Sequence, residues 1–143
     1  MDSPGPLLKS GFVMAKNHSP AFLQLVEAAR ARISECTVAE LKNLMDSGAS
    51  PIVVDVREES EFAAGHVPGA IHLSKGIIER DIESRFPDPN TELYLICGGG
   101  FRSALVAENL QKMGYLRPIS VDGGWRGWVE AGYPITQPPI TQP

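Results

Sequence analysis

Two short apolar runs constrain this chain more than anything else in it. Pro51-Ile52-Val53-Val54-Asp55-Val56 lies between a turn and a charge cluster, and Leu93-Tyr94-Leu95-Ile96 precedes a glycine-rich segment. Runs this short, aliphatic and bounded by turn residues read as buried strands. A third, Ile119-Ser120-Val121, follows. Between the last two, Arg102 to Met113 reads as a helix with Leu105, Val106, Leu110 and Met113 on one side, and Gly114 ends it. Strands alternating with helices of this length predict an α/β domain with a mainly parallel sheet.

Helix signals fill the stretch before the first strand. Ser19-Pro20 supplies a serine cap and a proline at the first helical position, and apolar residues recur at helical spacing from Phe22 to Ile33. The spacing predicts a helix over 20–33. Thr37-Val38-Ala39-Glu40 carries the capping-box pattern, and Gly48 suits the left-handed stop of the helix that follows. Residues 1–18 read as a weakly ordered leader and 19–134 as one domain. The repeated Ile-Thr-Gln-Pro at 135–143 reads as an extended proline-rich tail, since those prolines can continue neither a helix nor a central strand.

Composition narrows the function classes. The formal net charge is −4, from 13 basic and 17 acidic residues, which argues against a nucleic-acid partner. No apolar run is long enough for a membrane span, and no basic and apolar signal opens the chain, so a cytoplasmic setting is the expectation. With only 2 cysteines, Cys36 and Cys97, and 3 scattered histidines, neither a disulfide framework nor a metal site is indicated, and no cofactor is implied. The acidic excess concentrates in 51–92, where Glu58, Glu59, Glu61, Asp81 and Glu83 read as solvated helix faces. The stretch after residue 93 is slightly basic.

The chemistry concentrates in Leu95-Ile96-Cys97-Gly98-Gly99-Gly100-Phe101-Arg102-Ser103. A buried strand ends in a cysteine, a glycine-rich loop follows, and a helix begins. Ligands of parallel α/β sheets bind at the carboxyl ends of strands. A cysteine there faces loop amides and a helix N-terminus, whose partial positive charges stabilise a thiolate. Three glycines let successive N–H groups converge on one point. Arg102 adds a permanent cation that can grip an oxyanion. From spacing alone, Cys97 is either such a nucleophile or a small buried hydrophobe at a strand end. A nucleotide P-loop is disfavoured, because no Lys-Ser or Lys-Thr follows the glycines.

Further motifs occur in a fixed order around this loop: Asp55-Val56-Arg57-Glu58, Glu61, Gly65-His66-Val67-Pro68-Gly69-Ala70-Ile71, the Cys97 loop, Asp122-Gly123-Gly124-Trp125, Trp128 and Gly132-Tyr133-Pro134. Together, over about residues 33–134, the chain resembles the rhodanese superfamily of single-domain sulfurtransferases. The resemblance implies a rhodanese-like fold, a mainly parallel five-stranded sheet flanked by helices, with the helix at 20–33 as an addition. It also implies that Cys97 is the nucleophile, taking a sulfane sulfur from thiosulfate or a persulfide and passing it to cyanide or a thiol. Gly98, Gly99, Gly100, Phe101, Arg102 and Ser103 would bind the donor and hold the persulfide anion. Asp55 and Arg57, ending a strand nearby, would support the loop. The partners so implied are a small anionic sulfur donor and a thiol or cyanide acceptor, with a protein or low-molecular-weight thiol as a further option.

Loop length separates the relatives. The phosphatases and arsenate reductases of this superfamily resemble Cys-x5-Arg, whereas here four residues separate Cys97 from Arg102. A non-catalytic binding module is the other alternative, and the retained cysteine speaks against it. The variable loop positions Gly98, Gly99 and Phe101 carry no charge, which leaves thiosulfate and persulfides as competing donors. Of the remaining candidates, His66 is expected to bond backbone in its turn, and His72 to sit at the surface or look toward the site mouth. Trp125 and Trp128 are expected to pack, one of them with the option of lining a pocket. Cys36 is expected to be an inert thiol.

Overall fold

The computed structural model describes residues 18–138. The expected leader, except His18, and the tail from 139 onward lie outside the described residues. Eleven elements follow in order: α1 (Pro20–Arg30), β1 (Ser34–Thr37), α2 (Val38–Asp46), β2 (Ile52–Asp55), α3 (Glu59–Ala64), β3 (Ile71–His72), α4 (Ile78–Arg85), β4 (Glu92–Ile96), α5 (Phe101–Lys112), β5 (Arg117–Asp122) and α6 (Gly124–Glu130).

The five strands form one sheet in the order β1-β5-β4-β2-β3, and every pairing is parallel. Parallel strands need crossovers, so helices cover both faces. The strand residues divide by period two between them. Leu93 and Leu95 of β4 join Val54, Val56, Ile78, Ile82, Val106 and Leu110 on one side. Tyr94 and Ile96 join Val53, Leu41, Val121 and Trp128 on the other. Helix α1 extends the first side: Val26 and Ala29 pack on Ala104 and Leu105 of α5.

The local signals act as their chemistry requires. Ser19 Oγ accepts from the Phe22 amide at 3.2 Å ahead of Pro20. Thr37 and Glu40 close a capping box at 3.0 and 2.8 Å. The first helix ends at Arg30, earlier than its apolar spacing predicts, because the chain must turn before Ser34 pairs with Ile119 of β5. Ile33 still packs inward from that turn. After α6 the chain returns across the domain. The Trp128 indole donates to the Pro134 carbonyl at 2.8 Å, and Thr136 exchanges two backbone hydrogen bonds with His66 at 2.8 and 2.9 Å. The start of the 135–143 segment is thus fixed to the turn before β3. No helix among the described residues is long and apolar enough to cross a membrane.

Candidate active site

The site stands at the carboxyl end of β4, the central strand. Cys97 follows Ile96 directly and is 1% exposed. Its Sγ receives the Gly100 amide at 3.1 Å and the Ser103 amide at 3.3 Å. Ser103 Oγ lies 3.3 Å from the same sulfur and 2.8 Å from Ser120 Oγ on β5. Two N–H groups point at one sulfur, and as a thiol that sulfur donates in turn to the Ser103 hydroxyl.

Glycine makes this geometry reachable. Gly100 has φ +108°, a conformation side chains resist, and from it the chain enters α5 with its amide turned to the sulfur. A second glycine clamps the loop from outside. Gly124, at φ +53°, opens α6 so close to the loop that a Cβ there would collide with the Cys97 carbonyl oxygen and lie 2.9 Å from the Gly98 carbonyl carbon and oxygen. The first amides of α6 then bind those carbonyls, Trp125 to Cys97 at 2.7 Å and Arg126 to Gly98 at 2.9 Å. Orphan donors of one helix therefore fix the backbone that carries the cysteine.

Arginines surround the mouth. Arg57 is almost fully buried. It donates to Asp55 with Nε at 3.0 and 3.1 Å and with Nη2 at 2.9 Å, then to the Gly65 carbonyl at 2.7 Å. Its guanidinium lies 4.8 Å from the centre of the Trp125 ring. Asp55 and Arg57 thus join the ends of β2, the turn before β3 and the face of α6. Arg102 does not point freely into the loop. It pairs with Glu61 of α3 at 3.0 and 3.3 Å. Its hydrogen bond holds the Glu61 carboxyl below the usual carboxylate range, against the opposing effect of burial. Burial in turn disfavours the Arg102 cation, but Glu61 and the Cys97 sulfur outweigh it and raise its pKa.

Arg126 is the residue that sequence reasoning missed. Its guanidinium lies over the glycines, so that a Cβ on Gly99 would meet Nη1 at 2.9 Å and one on Gly98 would meet Nη2 at 3.8 Å. An open pocket of about 260 Å³ lies beside the loop, lined by Arg57, Glu61, Gly98, Trp125, Arg126, Val129 and Glu130. The available signal was an arginine just after Gly123-Gly124, at the carboxyl end of a strand in the same sheet. Phe101 faces away from that pocket, toward Phe22 and His18.

The other candidates separate cleanly. His66 Nδ1 bonds the Phe62 carbonyl at 2.9 Å, and His72 Nε2 bonds the Arg57 carbonyl at 2.7 Å. Both rings stack on Phe62. Trp128 is core, while Trp125 lines the pocket. Cys36 lies on β1, across β5 from β4. Burial, then the charges of Glu40, Asp122 and Glu35, push its thiol up to about 11. Among the described residues no group of three or more His, Cys, Asp or Glu side chains could hold a metal ion.

Known proteins resemble this arrangement. The rhodanese-like domain family matches residues 37–131. The chain is 33% identical over 102 residues to the Haemophilus influenzae protein named thiosulfate sulfurtransferase GlpE, covering 71% of this chain and 92% of that one. It is 34% identical over 96 residues to a Bacillus subtilis protein named provisionally as a sulfur carrier, YrkF, covering 67% of this chain and 51% of the other. The chain therefore spans about half the length of that relative. A solved structure from Rhodopseudomonas palustris superposes with a TM-score of 0.73 at 30% identity, covering 86% of this chain and 99% of that one. That protein is described as of unknown function, with tyrosine phosphatase as a suggestion.

Proposed function

The chain belongs to the rhodanese-like domain family, and from that premise we propose that it is a sulfurtransferase carrying sulfane sulfur on Cys97. The observation that supports this reading best is the convergence on one sulfur: it accepts from the Gly100 and Ser103 amides and shares a further hydrogen bond with the Ser103 hydroxyl. In the first step the Cys97 thiolate attacks the outer sulfur of thiosulfate or of a persulfide. The donor's S–S bond breaks, and its electron pair leaves with sulfite or with a thiolate. Cys97 is left as a persulfide anion. In the second step cyanide or a thiol attacks the outer sulfur, and the Cys97 thiolate returns. The attacking form is the thiolate, and the Gly100 and Ser103 amides are placed to hold its charge.

The remaining loop residues have supporting roles in this scheme. Gly98 and Gly99 keep the approach to sulfur free of side chains. Arg102 acts from its pair with Glu61, holding the start of α5 against α3 and adding positive potential beside the sulfur. Asp55 and Arg57 hold the wall of the mouth.

Mass spectrometry after incubation with thiosulfate or a low-molecular-weight persulfide tests the reading. We expect a gain of one sulfur atom, its removal by cyanide, and its absence in Cys97→Ser. No adduct with either donor, or an adduct retained by Cys97→Ser, would overturn it. A phosphatase is the second reading, favoured by the description of the R. palustris neighbour. Four residues between Cys97 and Arg102, and an Arg102 engaged by Glu61, weigh against it. Hydrolysis of p-nitrophenyl phosphate that disappears in Cys97→Ser would reverse the ranking.

A further inference from the structure

The three arginines at the mouth differ in one respect. Arg57 is tied to Asp55, and Arg102 to Glu61. Arg126 forms no ion pair among the described residues. Its amide bonds the Gly98 carbonyl and positions its backbone, while no carboxylate among the described residues spends its charge. It lies where a side chain on Gly99 would otherwise stand. The cation at the start of α5, Arg102, lies 3.1 Å from where a Gly98 Cβ would stand but is paired with Glu61, and the helix opposite supplies a second one through the gap the glycines leave.

We propose that Arg126 is the anion-binding residue of this site and selects donors that carry an oxyanion beyond the sulfane sulfur, the sulfonate of thiosulfate being the smallest. The inference rests on the sulfurtransferase reading above and refines its substrate class. The donor's oxyanion lies against Arg126 over Gly98 and Gly99, and its outer sulfur is directed to Cys97. A planar fork of N–H groups suits a sulfonate or carboxylate, and sulfite leaving after transfer keeps the same contact. Arg57 also lines the pocket, but it is 3% exposed, its charge is paired with Asp55, and its Nε and Nη2 already serve Asp55 and Gly65. The opposing charge is Glu130 on the rim, one helical turn beyond Arg126 on α6.

The test compares thiosulfate with the persulfide of 2-mercaptoethanol, whose tail is uncharged. In Arg126→Ala we expect KM for thiosulfate to rise about ten-fold, the effect of losing one charge-assisted contact. The preference for thiosulfate over the uncharged-tail donor should fall by the same factor. Arg126→Lys should recover part of it, as a point charge without the fork. Glu130→Gln should shift KM for thiosulfate the other way. Equal losses with both donors would make Arg126 merely structural and overturn the proposal. Binding is read separately by titrating thiosulfate calorimetrically into Cys97→Ser, with and without Arg126→Ala. Weaker binding on removing Arg126 supports the anion site even if sulfur transfer fails. Unchanged binding overturns it even if transfer succeeds.

Discussion

Gly124→Ala isolates the contact on which the site depends most. Two costs add. At φ +53° a side chain sits in the left-handed region, which disfavours it by about 1–2 kcal/mol. The new Cβ also meets backbone, the Cys97 carbonyl and the Gly98 carbonyl group, which cannot rotate away as a side chain could. Helix α6 must lift, and the Trp125 and Arg126 amide bonds to the loop are lost, at about 0.5–1.5 kcal/mol each. The total is about 2–5 kcal/mol. For a chain of 143 residues the unfolding entropy is about 0.3 kcal/mol/K, so Tm should fall by about 7–17 °C. Gly132→Ala is the control. Its φ of +76° carries the same backbone cost, but a Cβ there meets nothing within 4 Å, so the fall should be about 3–7 °C. Differential scanning calorimetry and urea unfolding give both numbers, and persulfide formation should slow in Gly124→Ala alone. If the two variants melt together, the close approach of α6 to the loop is not what holds the site.

Three further outcomes follow from the charges and thiols. Asp55→Ala leaves the Arg57 guanidinium buried without its carboxylate and should cost about 3–5 kcal/mol in urea unfolding, with part recovered when Arg57 is also made Met. Glu61 has a lowered folded pKa, so its contribution is present above the ordinary carboxylate range and lost as pH falls through the folded value. Its side chain is 39% exposed, so the Tm difference between the parent chain and Glu61→Gln should be worth no more than about 1 kcal/mol near neutrality and vanish in acid. Cys36, at about 11, should be ionised to about one part in a thousand at pH 8, so iodoacetamide should label it slowly there and faster with rising pH. Because its folded value is raised, its stabilising contribution should be lost as pH climbs from about 9 through about 11.

What the sequence revealed and what it hid differ in range. Strands β2 and β4, helix α5 and the caps of α1 and α2 rest on neighbours in the chain, and each was legible from a short window. Strand β1 was not, because Ser34-Glu35-Cys36-Thr37 is short, polar and largely exposed at the sheet edge. It is a strand through its pairing with β5, more than 80 residues away. Strand β3 has only 2 residues and depends on β2 in the same way. At the site, the loop glycines and Ser103 were visible as a motif, but the capture of Arg102 by Glu61 and the placing of Arg126 were not. Both depend on crossover geometry, which brings α3 and α6 to the end of β4 and leaves no periodic mark in sequence. The resemblance to rhodanese-like proteins supplied the count of five strands that local patterns could not, while their order came from the structure.

The hydroxyls beneath the sulfur have a consequence of their own. Ser103 and Ser120 are both fully buried, and each O–H can point either way along the line from Cys97 to β5. With a thiol, S–H donates to Ser103 and Ser103 donates to Ser120. With an anionic sulfur the whole row reverses: Ser120 donates to Ser103, and Ser103 donates to sulfur. Only hydrogens need turn between the two settings, and with the anionic sulfur each O–H of the row has its acceptor. A sulfur that gains or loses a proton at this place thereby rests on a two-position rotor, and the packed interior around it has no need to rearrange.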